Sequence, residues 1–481
     1  MTSVDSLSGY ARLYPHACLR REAGDTWALY SRETYPGRTD VQTVPFRDAC
    51  VLALLDGSSL GDVAAALREL HPRRTESEIV AHSADVLERH GRWIETGDAP
   101  LGEADRWPLL EFASTEERRL SGSQGLSFRL SAPVSLYLML TPECDYSCRY
   151  CNNKRLMKSA RPGQILSPEV YVRLLTEAKE SGCVNVTLTG GDPLRYEGLR
   201  DVVSACNDLG LNGWLCTRGA RDAAVWEGLL DAGLQRVQVS LDSLDRETVD
   251  RLSGPGTFDR SMNSIRALLS AGAVVALNTV LTSYVMDDVE ELVEWALEKG
   301  VRCVTLSPFV KPLGHDNVDV FVPAAGQKER FGELVSRRRS SWGDRVAFPS
   351  YGDALAYRIE TARDSGAAAG KPRCDASKTG MCIKWDGSAI YCDRAAGYEE
   401  AVYGNVATDS LLDLWNGERL RRLATPARGE FEDTVCAECS DFDACTAMGR
   451  CYYYALLNFG RFFAPDWRCP HVSDGECAPM L

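Results

Sequence analysis

The chain has 481 residues, of which 44% are hydrophobic and 25% charged, the balance of a globular protein with two or three domains. Its net charge of −14 argues against nucleic acid as a partner, since phosphate binding needs a basic surface. No stretch of about 20 apolar residues predicts a membrane span. Met1–Tyr10 lacks the basic start and apolar core of a secretory signal, so a cytoplasmic location is expected. Eighteen cysteines in such a chain favour metal or redox chemistry over disulfides.

Residues 1–105 predict a small separate domain. The expected elements are a β-hairpin at His16–Arg21 and Trp27–Ser31, helices at Phe46–Leu55 (closed by Asp56-Gly57), Leu60–Leu70 (capped by Ser59) and Glu76–His90, and a short closing strand at Trp93-Ile94. A hairpin followed by three helices and a wing is a winged-helix pattern. Residues 106–130 are polar and predict a linker.

Residues 131–345 predict an α/β domain in which strands and helices alternate. The expected strands are Val134–Leu140, Val184–Thr189, Gly213–Thr217, Gln235–Leu241, Val274–Leu281 and Arg302–Ser307, with helices at Pro168–Ser181, Tyr196–Leu209, Ala223–Ala232, Phe258–Ala271 and Asp288–Lys299. Six β/α units imply a parallel sheet curved into a partial (β/α)6 TIM-like barrel or a complete one, with its chemistry at the carboxyl ends of the strands. In residues 346–481 the periodicity fades, which predicts a region organised by metal sites rather than by a large core.

Three cysteines directly follow the first barrel strand. Cys144, Cys148 and Cys151 have the spacing C-x3-C-x2-C, which lets one loop wrap a single iron–sulfur cube. Three thiolate ligands leave one iron without a protein donor, and that iron is free to chelate a small molecule. Zinc is the alternative, but a zinc site normally needs a fourth Cys or His, and none lies between 133 and 182.

This motif and its position closely resemble the radical S-adenosylmethionine superfamily over about residues 131–310. Thr189-Gly190-Gly191-Asp192-Pro193 resembles the family's Gly-Gly-Glu-Pro turn, with Asp in place of Glu, and Thr217-Arg218-Gly219 occupies the usual Thr-Asn-Gly position. Ser240-Leu241-Asp242 resembles the segment that contacts the ribose and carboxylate of the cofactor. The resemblance therefore implies that S-adenosylmethionine is bound by Tyr150, Gly190, Gly191, Asp192, Thr217, Ser240, Asp242 and Asn278.

Eight further cysteines form an array between 374 and 469. They run Cys374-x7-Cys382-x9-Cys392 and Cys436-x2-Cys439-x5-Cys445-x5-Cys451-x17-Cys469, enough for two fully ligated four-iron clusters, with zinc knuckles as the alternative. The array resembles the SPASM extension of radical S-adenosylmethionine enzymes, although five residues rather than three separate Cys445 from Cys451. The resemblance implies an interleaved ligand set, with Cys477 as a possible substitute for Cys469. The first auxiliary cluster would use Cys374, Cys382, Cys392 and Cys451, and the second Cys436, Cys439, Cys445 and Cys469.

The front domain resembles the PqqD-like winged-helix domains that bind leader peptides of ribosomally made, modified peptides. In that family the leader adds as a strand to the edge of the hairpin, beside the third helix, which implies contacts near His16–Arg21 and Val80–Leu87. An inert structural domain and a DNA-binding winged helix are the alternatives, and the mixed charges disfavour DNA.

Together these resemblances imply a radical peptide maturase. It would carry three [4Fe-4S] clusters and install a thioether or carbon–carbon cross-link in a precursor peptide, drawing electrons from a donor such as flavodoxin or ferredoxin. The alternatives are a formylglycine-forming sulfatase maturase, a peptide epimerase or oxidative decarboxylase of the same superfamily, and a non-enzymatic iron–sulfur scaffold. No catalytic acid or base is evident among the six histidines, His16, His71, His82, His90, His315 and His471.

Overall fold

The structure of the chain is a computed structural model. It describes residues 9–22, 26–31, 41–70, 74–99, 101, 129–158, 160, 163–220, 222, 224–312, 318–348, 376–466, 469 and 471–472. The chain divides into two compact units, a front unit up to Ser131 and a main unit from Ala132 onward. Among the described residues, no helix is both long enough and apolar enough to cross a bilayer.

The front unit contains the hairpin, the three helices and the closing strand predicted from the sequence. Its strands are β1 (Tyr10–Leu13), β2 (Ala17–Arg21), β3 (Thr26–Ser31), β4 (Val41–Pro45), β5 (Asp56–Ser59) and β6 (Ile94–Gly97), and its helices are α1 (Phe46–Leu54), α2 (Leu60–Leu70) and α3 (Glu76–Arg89). They form two antiparallel sheets, ordered β2-β3-β4 and β5-β1-β6. The Asp56-Gly57 pair, predicted only as the stop of the first helix, also begins strand β5.

Local caps explain where two of the front helices begin. The hydroxyl of Ser59 accepts a hydrogen bond from the backbone N–H of Asp62 at 3.1 Å, as predicted. Before α3, the Thr75 hydroxyl accepts from the backbone of Glu78, and the Glu78 carboxylate accepts from the backbone of Thr75 in return. The apolar faces of the helices and strands then share one buried core, which includes Leu52.

The main unit begins with the predicted barrel. Its six strands are β7 (Ser135–Met139), β8 (Asn185–Thr189), β9 (Asn212–Thr217), β10 (Arg236–Ser240), β11 (Val274–Leu281) and β12 (Cys303–Pro308). Its helices are α4 (Lys154–Lys158), α5 (Pro168–Glu180), α6 (Leu199–Asp208), α7 (Ala224–Asp231), α8 (Arg246–Ser253), α9 (Thr257–Ser270), α10 (Val289–Glu298) and α11 (Ala325–Trp342). The six strands are parallel and neighbour one another in chain order, which confirms the α/β partial barrel.

The cysteine-rich region continues the same sheet. Its elements are β13 (Val346–Ala347), β14 (Gly380–Ile383), β15 (Ser388–Ile390), β16 (Val402–Asn405), α12 (Leu411–Asn416), α13 (Glu418–Ala424), α14 (Phe442–Met448) and α15 (Tyr452–Phe459). The complete sheet has ten strands, ordered β13-β12-β11-β10-β9-β8-β7-β14-β15-β16, so β14 lies beside the first barrel strand.

The absence of a large core predicted beyond residue 345 is wrong for the described part of this region. Ile383, Trp415 and Tyr452 are buried in the same apolar cluster as the barrel strands. The apolar residues of this region show little periodicity in the sequence because the helices and strands that contain them are short, for example three to eight residues in β14, β15, α12 and α15. The predicted boundary at 345 also falls next to β13, which adds a parallel strand beside β12.

Candidate active site

The first cysteine group, named the loop group here, consists of Cys144, Cys148 and Cys151 in the loop after β7. The three thiols lie close enough to affect one another. Burial raises the pKa of Cys144 to about 12, and Asp192, Cys148 and Cys151 add to the rise as nearby negative charges. Thiols that resist ionisation together are stabilised as thiolates when they bind a cationic metal centre.

The loop group is held in place by a helix that the sequence analysis did not predict. The backbone N–H of Ser147 donates to the carbonyl of Ser253 at 3.0 Å, and that of Arg149 donates to Leu252 at 2.9 Å. Gly254 ends this helix with φ of +105°, and a Cβ there would lie 2.6 Å from the Ser147 hydroxyl. The carboxyl end of α8 therefore supports the cysteine loop directly.

The Gly-Gly-Asp turn after β8 holds the entrance to the same loop. The N–H of Gly191 donates to the carbonyl of Thr141, and the N–H of Asp192 to that of Glu143, both at 2.7 Å. A Cβ on Gly190 would meet the Thr141 oxygen at 2.6 Å, and one on Gly191 would meet the Glu143 oxygen at 2.2 Å. Glycine is needed here because the turn packs backbone against backbone.

Asp192 links this turn to the next strand. Its carboxylate accepts hydrogen bonds from the Thr217 hydroxyl, at 2.9 Å and 2.8 Å to its two oxygens, and from the N–H of Leu194 at 3.0 Å. Burial raises the pKa of Asp192 to about 6, although the Thr217 and Leu194 hydrogen bonds oppose the rise. Two residues predicted to contact the cofactor therefore contact each other.

A buried polar network connects the last turn of the loop group with the ends of β9 and β10. The Tyr150 hydroxyl donates to Asp242 and accepts from Arg218, while Arg218 Nη2 lies 3.1 Å from Asp242 Oδ2. The second Asp242 oxygen accepts from the N–H of Val280 at 3.0 Å. Tyr150 and Asp242 were predicted to belong to the site and Arg218 was not, although Arg218 stands where the resembling family usually has Asn.

The guanidinium of Arg218 is the least satisfied group in this network. Its side chain is only 10% exposed, and its Nη1 nitrogen is buried without a hydrogen-bond partner among the described residues. A buried guanidinium nitrogen left unpaired is costly unless an anionic group binds there. The site therefore fits a ligand that brings a hydrogen-bond acceptor, such as a carboxylate oxygen, to Nη1.

The remaining predicted contacts lie on neighbouring strands. Ser240 ends β10 and pairs in register with Asn278 on β11. Asn278 Oδ1 accepts a hydrogen bond from the Ser307 hydroxyl at 2.7 Å. The structure thus places Gly190, Gly191, Asp192, Thr217, Ser240 and Asp242 at or just beyond the carboxyl ends of β8 to β10, Asn278 within β11 and Tyr150 in the loop after β7.

A second group, named the hairpin group, contains Cys382, Cys392 and Cys451. Cys382 lies on β14 opposite Ile390 on β15, two residues before Cys392. Burial and the nearby Asp393 carboxylate raise the pKa of Cys382 well above its usual value. Cys392 donates to the same Asp393 carboxylate at 3.4 Å, so both thiols lie beside one side chain.

The third member of the hairpin group approaches from another part of the chain. Cys451 packs with Val310 and Tyr453 at the start of α15. Arg394, two residues after Cys392, has its guanidinium carbon 5.8 Å from the centroid of the Tyr453 ring. The predicted fourth member, Cys374, lies outside the described residues, as does the spare Cys477.

A third group, named the tail group, consists of Cys436, Cys439, Cys445 and Cys469. Burial raises the pKa of Cys469 to about 11, and the other three thiols contribute to the rise as neighbours. The structure therefore brings together all four cysteines that the sequence analysis assigned to one cluster.

Two non-cysteine ligand types lie at the edge of the tail group. Cys439, Asp441 and His471 each place one possible ligand atom within 4.8 Å of the others. His471 Nε2 is 2.8 Å from an Asp441 oxygen, so this pair is already partnered. Five of the cysteines outside these three groups are buried: Cys18, Cys50, Cys183, Cys206 and Cys303.

A three-thiol loop at the carboxyl edge of a partial barrel, with glycine and polar contacts in strand order, defines a class of iron–sulfur enzymes. Residues 138–296 match the Radical SAM superfamily, and residues 374–440 match SPASM, an iron-sulfur cluster-binding domain. The chain is a radical S-adenosylmethionine enzyme with a SPASM region, and both matches imply that it binds S-adenosylmethionine and iron–sulfur clusters. The family expected from the cysteine motifs is therefore confirmed.

Three curated relatives match between 40% and 68% of this chain. The PqqA peptide cyclase of Rhizobium meliloti (strain 1021) is 25% identical over 336 residues, which is 68% of this chain and 85% of that protein. The PqqA peptide cyclase of Ruegeria pomeroyi is 29% identical over 306 residues, 61% of this chain and 77% of that protein. The GTP 3',8-cyclase of Erythrobacter litoralis is 32% identical over 202 residues, 40% of this chain and 60% of that protein.

Solved structures share the fold over almost the entire chain. SuiB of Streptococcus suis bound to S-adenosylmethionine superposes with a TM-score of 0.63 at 16% identity and covers 95% of this chain and 100% of that chain. SuiB bound to the precursor peptide SuiA gives a TM-score of 0.62 at 18% identity, over 96% of this chain and 100% of that chain.

Proposed function

We propose that this enzyme is a maturase that cross-links a ribosomally made precursor peptide by a thioether or a carbon–carbon bond. The observation that carries the proposal is the contact between the loop of the loop group and the Gly-Gly-Asp turn, at the edge of a sheet that also contains Cys382 of the hairpin group. The names of the relatives, PqqA peptide cyclase, support a peptide substrate, as does the fold shared with a SuiB structure that contains a precursor peptide.

The cysteines present fit three [4Fe-4S] clusters. Three thiols in the loop group would leave one iron open for S-adenosylmethionine, and eight array cysteines suffice to ligate two auxiliary clusters fully. We assign the first auxiliary cluster to Cys374, Cys382, Cys392 and Cys451, and the second to Cys436, Cys439, Cys445 and Cys469. When bound, the loop cluster and S-adenosylmethionine supply a 5′-deoxyadenosyl radical, which takes a hydrogen atom from the peptide.

The polar groups of the barrel edge fit the two ends of the amino acid part of S-adenosylmethionine. The amide N–H groups of Gly191 and Asp192 are already used to hold the loop, so the carbonyl groups of the turn would accept from the cofactor's ammonium. Arg218 Nη1 would pair with its carboxylate. The other assigned contacts are Tyr150, Gly190, Thr217, Ser240, Asp242 and Asn278.

Formation of a cross-link removes two hydrogen atoms from the peptide. One leaves as a hydrogen atom to the radical, and the other leaves as a proton and an electron. The electron needs an acceptor, and this is the role we assign to the auxiliary cluster nearest the peptide. A flavodoxin- or ferredoxin-like donor would supply the electron that starts each turnover.

The front unit supplies an edge to which a leader peptide would add as a strand. Among the described residues, β2 pairs with β3 on one side and with no strand on the other. An extended peptide that binds there would use main-chain hydrogen bonds. Hydrogen exchange of the full chain, with and without a candidate precursor encoded beside its gene, should show protection of Ala17–Arg21.

The same sheet contains the control for this experiment. Strand β4, Val41–Pro45, is the opposite edge of the sheet and should keep its exchange rates. Protection of β4 instead of β2, or of neither, would contradict the proposed leader site.

Product mass, together with a test for an aldehyde, separates the candidate reactions. The reconstituted enzyme, given S-adenosylmethionine, reductant and precursor, should release 5′-deoxyadenosine and a peptide lighter by two hydrogen atoms. Exchange of sulfur for oxygen would indicate formylglycine formation from cysteine, loss of carbon dioxide would indicate decarboxylation, and deuterium uptake from heavy water without another change would indicate epimerisation. Formylglycine formation from serine also removes two hydrogen atoms, and its aldehyde would react with a hydrazine, which a cross-link does not.

Single-cysteine variants test the ligand assignment of the loop group. Cys148→Ala should abolish 5′-deoxyadenosine formation, because two thiols hold the cluster poorly. The matched control is Cys206→Ala, which removes a buried thiol of α6 that belongs to none of the three groups. A Cys148→Ala enzyme that still cleaves S-adenosylmethionine would refute the assignment.

A further inference from the structure

Arg450 is a buried cation that touches the tail group. Arg450 directly precedes Cys451 of the hairpin group in the sequence. Its side chain nevertheless extends toward the tail group, where Nη1 donates to Cys436 Sγ at 3.4 Å. Nη2 donates to the Phe442 carbonyl at 3.4 Å, and Nε to the Thr446 hydroxyl at 3.2 Å. All three guanidinium nitrogens therefore donate a hydrogen bond, and one of these bonds is to a cysteine sulfur.

Aromatic rings keep water away from this guanidinium. Its central carbon lies 4.5 Å from the centroid of the Phe431 ring and 4.5 Å from that of Phe442, and Arg450 as a whole is only 6% exposed. Electrostatic interactions in such a water-poor environment are stronger than in bulk solvent.

The charge of Arg450 lacks an ordinary counter-ion. Among the described residues, no carboxylate forms an ion pair with it. Buried charges in proteins are paired, since an isolated buried ion carries a large desolvation cost. The groups in position to balance this cation are the thiols of Cys436 and Cys445, which act on it electrostatically.

We propose that Arg450 is the counter-ion of the second auxiliary cluster and raises its reduction potential. The proposal deepens the proposed function, because it rests on the assignment of Cys436, Cys439, Cys445 and Cys469 as ligands. The step concerned is the uptake of one electron by the oxidised cluster, with no bond made or broken, which makes the cluster more negative by one unit. A fixed cation and a hydrogen bond to a ligand sulfur stabilise the reduced form.

In this role Arg450 affects the electron-transfer step of the reaction and not the bond-forming step. A cluster whose reduced form is stabilised accepts the electron released by the cross-linked peptide more readily. Arg450 would therefore be a positioning residue that acts through the cluster, without contact to the substrate.

Arg428 provides a matched control on the same aromatic ring. Its guanidinium carbon is also 4.5 Å from the Phe442 centroid, but it donates to the backbone carbonyl of Cys439 at 2.7 Å rather than to sulfur. Its side chain is 40% exposed, so water screens its charge. Loss of Arg428 removes a comparable packing contact without removing the buried cation.

The test is an anaerobic potentiometric titration of the reconstituted full chain, followed by electron paramagnetic resonance. All forms carry Cys148→Ala so that the loop cluster does not contribute to the signal. Arg450→Met should lower the ratio of reduced to oxidised second cluster at a fixed potential by about tenfold, a shift of about 59 mV to lower potential. Arg450→Lys should show a smaller shift, and Arg428→Met should leave the potential unchanged.

Iron and sulfide analysis separates the possible failures. An Arg450→Met enzyme with full iron and an unshifted potential would overturn the proposal. If Arg450→Met loses cluster iron and Arg450→Lys retains it, the charge is needed and the proposal stands. Equal losses in both variants would mean that shape rather than charge matters, and the proposal would fail.

A separate variant tests the ligand assignment beneath the proposal. Cys436→Ala should remove the couple that responds to Arg450. If that couple persists with its iron in Cys436→Ala, the ligand assignment is wrong, whichever way the Arg450 variants behave.

Discussion

Gly191 is the position where one methyl group should do the most damage to the active site. A Cβ there would lie 2.2 Å from the Glu143 carbonyl oxygen and 2.8 Å from that of Pro142, whereas ordinary contacts begin at 3.4 Å. The loop entrance must therefore move by about 1.2 Å, which is 3.4 − 2.2, and overpacking of this kind costs about 1–3 kcal/mol. Because a displacement of about 1 Å can reduce a rate about 100-fold, we expect Gly191→Ala to lose about two orders of magnitude in 5′-deoxyadenosine formation.

The control for this variant is Gly332→Ala in the helix Ala325–Trp342, where an added Cβ meets nothing within 4 Å. Alanine is a better helix former than glycine by about 1 kcal/mol, so this variant should be slightly more stable and fully active. The assay is anaerobic quantification of 5′-deoxyadenosine at equal iron content, with thermal unfolding as the measure of stability. A Gly191→Ala enzyme with wild-type turnover would refute the view that this turn positions the cysteine loop.

Three further variants test the polar network and the front unit. Asp192→Asn should gain stability relative to the wild type by up to about 3 kcal/mol as pH rises from 4 to 6. The reason is that a pKa raised from 3.8 to about 6 makes ionisation of Asp192 in the folded wild type costly in that range. Unfolding of the apo enzyme against pH measures this, and a stability difference that stays constant with pH would contradict it. Tyr150→Phe should lower stability by about 1.5–3 kcal/mol, since it removes a buried hydrogen bond to a carboxylate. S-adenosylmethionine should still bind if only the backbone of this residue contacts adenine. Calorimetry measures both the stability and the binding. Thr75→Ala should cost the front unit about 1 kcal/mol through loss of its helix cap, seen as faster hydrogen exchange in Glu76–Arg89, and unchanged exchange there would count against the cap.

The sequence predicted the elements whose periodicity is strong. All six barrel strands and the three front helices were predicted to within a few residues, because each carries a regular apolar pattern. The loop group was predicted from the spacing of its cysteines. The membership of the tail group, which omits Cys451, came from the resemblance to the SPASM extension and not from spacing alone.

The sequence did not reveal elements that owe their position to distant contacts. Helix Arg246–Ser253 buries only Thr248, Val249, Leu252 and Ser253, too few apolar side chains for a periodic signal, yet its end supports the cysteine loop. Arg218 and Arg450 were missed for a related reason. From sequence alone a charged residue is expected to lie at the surface. Only the structure shows that Arg218 contacts Tyr150 and that Arg450 contacts Cys436.

Strand β7 fixes the position of one hairpin-group cysteine relative to the loop group. Tyr137 on this strand pairs in register with Thr187 on one side and with Cys382 on the other. Neighbouring strands lie about 4.8 Å apart, so the sheet fixes Cys382 relative to the strand that leads into the loop group. A slip of one residue would turn Cys382 to the opposite face of the sheet. The position of Cys382 relative to the strand that leads into the loop group is therefore set by backbone hydrogen bonds, and a bound peptide cannot change it without breaking them.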